Sequence, residues 1–102
     1  MTIIRGTTPT IKYTFKTIHG TDITVARFTV SQAGTVLVDK DLADAVADST
    51  SISWTMTQVE TLKLDTDIPA KLMLNWKVAD GTRGASNITI ASIRENDVSE
   101  VI

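Results

Sequence analysis

The chain has no cysteine, so disulfide staples and thiolate metal sites are excluded and its 102 residues must hold together by packing and hydrogen bonding. It has a single histidine, His19. Only two prolines and five glycines punctuate it, too few for a low-complexity or disordered chain. Aromatics are scarce: two tryptophans, two phenylalanines and one tyrosine. No apolar run approaches the roughly 18 residues of a membrane-spanning helix. No basic leader precedes an apolar stretch at MTIIRGTTPT, so no signal peptide is expected, and the product should be cytoplasmic and soluble. Excess positive charge is also missing. A net charge of −2 and a pI near 5.2 argue against a general nucleic-acid binder, which needs a basic footprint for phosphates.

What is present is threonine, valine and isoleucine, β-branched residues suited to a pleated, half-buried surface. Thr10 to Thr17 alternates, with Ile11, Tyr13 and Phe15 on one face and Lys12, Thr14 and Lys16 on the other. Ile18 to Asp22 reads as a turn. Ile23 to Ser31 is the next strand, and a bulge or bend near Thr24 would reconcile its two phases of alternation. Gln32 to Thr35 turns into a strand over Val36 to Lys40. Residues 41–51 are ambiguous between one helical turn at Leu42, Ala45 and Val46 and an irregular or edge segment. Ile52, Trp54 and Met56 then mark a strand. Thr57-Gln58-Val59-Glu60 has the form of a capping box, predicting a short helical turn over Gln58 to Lys63 that crosses between sheets.

Lys71 to Ile93 is a β-hairpin. Leu72, Leu74, Trp76 and Val78 alternate with polar partners, Asp80-Gly81 turns the chain, and Ile88 and Ile90 follow. A two-residue turn would throw Ile88 and Ile90 onto the polar face. A three-residue loop, Ala79 to Gly81, sets Trp76 opposite Gly84, Leu74 opposite Ser86 and Leu72 opposite Ile88, with Gly81 at the left-handed position. Gly84 then leaves room for the indole.

About seven short strands, one helical crossing and no long amphipathic helix predict an all-β, immunoglobulin-like antiparallel sandwich. Residues 1–8 would form an arm, 9–93 the sandwich and 94–102 a tail. The expected core is Tyr13, Phe15, Phe28, Val30, Ile52, Trp54, Leu62, Leu72, Leu74, Trp76, Ile88 and Ile90.

Candidate chemistry is thin. His19 in its turn has no recognisable nucleophile or orienting acid, and a surface role is expected. Asp39, Asp41, Asp44, Asp48, Asp65 and Asp67 lack calcium-loop spacing and read as turn formers. A glycosidase pair among them would need a cleft that a chain this short cannot line. Trp54 and Trp76 could stack on sugar, which makes a small carbohydrate-binding or host-surface adhesion module the alternative reading, but both fall in phase with core aliphatics. Lys12, Lys16, Lys71 and Lys77 lie on outward faces, where they oppose sheet-to-sheet aggregation. No enzyme, metal site or cofactor is expected. Ile3, Ile4, Val98, Val101 and Ile102 put apolar side chains on terminal segments that either fold back or dock on a neighbour, and they are the candidate partner contacts.

Three phrases carry a resemblance. They are Ile4-Arg5-Gly6-Thr7-Thr8 before Ile11-Lys12-Tyr13-Thr14-Phe15, then Asp22 to Val30, then Asp80-Gly81-Thr82 before Gly84-Ala85-Ser86-Asn87. Together they resemble small proteins of Firmicutes prophages and the N-terminal domain of phage baseplate upper proteins, over roughly residues 3 to 93. The resemblance implies an immunoglobulin-like structural module of a phage tail or baseplate. It would be made in the bacterial cytoplasm and carried on the virion, with other phage structural proteins, or a second copy of itself, as partners. It supplies no catalytic residues.

Overall fold

A computed structural model describes residues 1–97. Among the described residues nine strands form: β1 Thr2–Ile4, β2 Thr10–Thr14, β3 Ile23–Gln32, β4 Thr35–Asp41, β5 Val46–Ala47, β6 Ser51–Thr55, β7 Ala70–Val78, β8 Arg83–Ala85 and β9 Thr89–Arg94. One helix, α1, spans Gln58–Leu62, and short 3-10 turns occupy Gly20–Asp22 and Leu42–Asp44. The larger sheet runs β1-β9-β7-β3-β4, with β8 beside β7, and the smaller runs β2-β6-β5.

The fold is an all-β immunoglobulin-like sandwich. In its lettering β2, β6 and β5 are strands B, E and D, and β9, β7, β3 and β4 are G, F, C and C′. Three of the nine strands, β1, β5 and β8, are only two or three residues long, which is too short to display a period of two. β1 runs parallel to β9, so the sandwich is not wholly antiparallel.

Local signals are answered where they were read. The β7–β8 loop is the three-residue Ala79–Gly81, with Val78 bonded to Thr82 and Gly81 at φ +92°. Trp76 pairs with Gly84, where an added Cβ would lie 2.4 Å from the indole ring. Helix α1 carries a full capping box: Thr57 accepts from the Glu60 amide and Glu60 accepts from the Thr57 amide. The β3–β7 pairing shifts between Ile23 and Val25, where the alternation pointed to a bulge or bend. Ala33 and Gly34, both at positive φ, make the two-residue turn into β4. In residues 41–51 both readings hold in succession: the Leu42–Asp44 turn, capped by Asp41, precedes the short edge strand β5.

The expected inward placement of Ile88 and Ile90 is corrected, for they are 54% and 51% exposed. Pairing slips by one residue after Ser86, so Leu72 meets Thr89 instead of Ile88. One extra residue inverts every side chain beyond it, and Ala91 and Ile93 face the core instead. Leu62 is also only partly buried; Thr61 and Leu64 take the inward positions around it. Tyr13, Phe15 and Trp76 are partly buried and pack against the core. Phe28, Val30, Ile52, Trp54, Leu72 and Leu74 form its centre, joined by Ile3, Ile11, Ile23, Ala26, Val38, Met56 and Ala70. Aromatic contacts join the sheets: Trp54 stacks on Phe28 at 5.4 Å, and Tyr13 meets Phe28 edge-on at 6.2 Å. The Trp54 indole N–H donates to the Asp41 carbonyl at 2.8 Å.

Polar pins fasten the segments around α1. Thr61 Oγ1 accepts from the Gly6 amide and donates to the Thr7 carbonyl, while Arg5 reaches the Leu62 carbonyl. The opening phrase Ile4 to Thr8 is thereby fastened to α1. Lys40, pointing inward from β4, donates to Glu60 at 2.8 Å and to the Thr55 carbonyl. Burial pushes the Glu60 carboxyl up, but Lys40 and the Thr57 amide outweigh it and hold the pKa below the ordinary value. Buried Gln32 bridges the Asp65 amide and the Asp65 and Ile68 carbonyls, fixing the approach to β7.

Candidate functional site

Two surfaces carry concentrated chemistry. The first is the loop end, where the turn after β2, the β5–β6 turn and the β7–β8 loop converge. His19 Nδ1 lies 2.8 Å from the Ser49 carbonyl, so the only histidine ties one turn to the next. Gly20 is pressed against the same turn; a Cβ there would fall 2.2 Å from the Ser51 carbonyl oxygen. Asp48 Oδ1 accepts from the amides and hydroxyls of Thr50 and Ser51. Those donors, the Thr50 amide foremost, lower its pKa to about 2. Asp80 is likewise held below the ordinary carboxylate value by the Thr82 amide. A shallow recess lies between these loops, lined by Thr17, Ile18, His19, Asp22, Val78, Ala79 and Asp80. Its imidazole and the Asp80 carboxylate are already engaged in holding turns.

The second surface is the outward face of the larger sheet. Register places its residues in rows across the strands. Arg83, Lys77 and Val25 form one row, and Ala85, Asn75, Arg27 and Asp41 the next. Met73, Thr29 and Asp39 follow, then Ile90, Lys71, Ser31 and Val36. Val25 and Val36 are 52% and 54% exposed, comparable to Ile90. Arg27 holds Asp39 through both Nε and Nη2; this raises the Arg27 pKa and lowers that of Asp39. Two recesses flank Arg27, one reaching Asp41 and Asp44 and the other reaching Lys77 and Arg83.

The residues singled out from the sequence are dispersed by this geometry. Trp54 is 1% exposed and stacked inside, while Trp76 is partly buried, edge-on to Phe15 at 5.2 Å and packed against Gly84. The six aspartates weighed as metal ligands are divided. Asp39 binds Arg27, while Asp41, Asp48 and Asp65 accept from nearby amides. Among the described residues no three His, Cys, Asp or Glu side chains are grouped to hold a metal ion. Lys12, Lys16 and Lys71 are exposed, and Lys77 is partly so. Of the terminal candidates, Ile3 is buried in this chain's own core and Ile4 is exposed beside it. Val98, Val101 and Ile102 lie outside the described residues. The paired columns of opposite charge on the sheet face went unread, because they exist only once the strand registers are known.

No helix among the described residues is long and apolar enough to cross a membrane. No protein-family model matches the chain, and no curated protein matches it in sequence.

Proposed function

We propose that this protein is a non-enzymatic structural and interaction module of a phage tail or baseplate. The observation that carries the interaction role is the outward face of the larger sheet, which displays Val25, Val36 and Ile90 together with charges of both signs that form no ion pair among the described residues. Exposed aliphatics set among charges of both signs on one sheet face can supply attraction and orientation for another protein. The tail or baseplate setting rests on the resemblance in the phrases beginning at Ile4, Asp22 and Asp80. Those phrases fall in scaffold: the first is pinned to α1, the second is β3 with its bulge, and the third is the β7–β8 loop. A module recognised by its scaffold, with its chemistry on an outer face, suits a building part better than a reaction centre.

The test is mass spectrometry of particles and assembly intermediates purified after inducing a prophage that encodes the chain. The protein is expected in tails or baseplates at stoichiometric abundance. Its absence from all of these fractions would sink the tail and baseplate assignment.

A further inference from the structure

The outward face of the larger sheet is self-complementary, and we propose that two copies of this chain pair through it about a two-fold axis. The axis runs parallel to the strands between β7 and β3. Such an axis carries the β7 column of one copy onto the β3 column of the other, and the β8–β9 column onto β4.

Residues that then lie directly opposite one another in each row do not clash in sign. Ile90 of one copy lies over Val36 of the other; both are about half exposed and stand at opposite ends of one row. Arg83, at the end of the first row, lies over the turn carrying Asp44. Asn75 lies over Arg27, and Lys77 lays its aliphatic stem over Val25. Cations stand only on the β7, β8 and β9 side of the axis, at Lys71, Lys77, Arg83 and Arg94, apart from Arg27, which is neutralised by Asp39. Anions stand only on the other side, at Asp39, Asp41 and Asp44. Among the described residues, Lys71, Lys77, Arg83 and Asp44 belong to no ion pair. A basic or an acidic peptide would satisfy one half of this face and oppose the other. A second copy satisfies both halves, and every contact occurs twice. The aliphatic pair supplies the attraction and the flanking charges fix the orientation.

The pairing is tested by analytical ultracentrifugation of the full chain over a concentration series, with Arg83→Asp, Asp44→Arg and an equimolar mixture of the two. The parent should dimerise, and each variant alone should associate at least tenfold more weakly. The mixture should recover a heterodimer, since each exchanged charge then meets its opposite. Lys16→Asp, a similar charge change away from this face, should leave the dimer intact. If either variant fails to fold by circular dichroism, Ile90→Lys mixed with Val36→Asp repeats the exchange in the last row. A parent that stays monomeric throughout, a dimer indifferent to both exchanges, or a mixture that does not reassociate would overturn the proposal. The particle assignment stands or falls separately, because a monomer can still be found in tails and a dimer can be absent from them.

Discussion

Gly20 and Gly84 both exclude a methyl group, but against different obstacles. At Gly84 the obstacle is the Trp76 indole, a side chain at the margin of the core that can swing aside. At Gly20 it is backbone, the carbonyls of Ser51 and Asp48, which cannot move without dragging the β5–β6 turn. Gly84→Ala should therefore cost about 1–2 kcal/mol and Gly20→Ala about 3 kcal/mol, within the range for overpacking. Urea denaturation would measure both, and tryptophan fluorescence should shift only in the Gly84 variant. An equal cost would show that the turn at Gly20 yields as readily as a ring. Asp48 is the complementary case, an exposed side chain whose value lies in its charge. Its folded pKa of about 2 sits below an unfolded value of about 3.9. The stabilisation is thus fully present above pH 4 or so and is lost as pH falls through 2. Asp48→Ala should melt lower than the parent at neutral pH, with the gap closing as pH is lowered across that window. A gap that stays constant down to pH 2 would mean that the carboxylate charge contributes nothing.

Elements differ in how far they were legible before the structure. The β7–β8 loop and α1 were, because their signals are local: a glycine at the left-handed position, an indole facing a glycine, a threonine and a glutamate three apart. The slip at Ser86 to Thr89 was not, since no glycine or proline there announces an extra residue, yet it reverses Ile88 and Ile90. β1 was illegible for another reason. Ile3 is buried through a three-residue parallel pairing with a strand ninety positions away, which no short-range pattern encodes. The arm is held by Thr61 as well, a buried threonine that looks like an ordinary helix residue in the sequence. Thr61→Val keeps the shape but strands the Gly6 amide and the Thr7 carbonyl. Leaving such groups without partners costs about 1–3 kcal/mol, so the variant should lose that much in urea denaturation. Its arm should also be clipped by protease before the sandwich is. A loss below about 0.5 kcal/mol would mean that water replaces the hydroxyl at both groups.

For the molecule as a whole, an immunoglobulin-like sandwich must prevent its sheet edges from pairing indiscriminately. β1 and β5 are too short to template another strand. β4 is seven residues long but guarded: its register with β3 shifts at Val30 and Ser31, and Lys40 points a charge inward. β2 has neither device. Phe15 and Met56 bond across to Thr50 and Pro9, so the odd-numbered residues of β2 face β6, and Thr10, Lys12 and Thr14 turn their backbone groups outward. Within the strand Thr10–Thr14, Lys12 is the one charge opposing a second strand. Lys12→Val should therefore bring on aggregation at a lower temperature than Lys16→Val, which alters a lysine just beyond the strand, while both variants unfold within about 0.5 kcal/mol of the parent as surface changes do. Static light scattering on heating distinguishes the two. Equal onset would show that the β2 edge is protected by something other than its lysine, and would move the search for an open edge elsewhere on the sandwich.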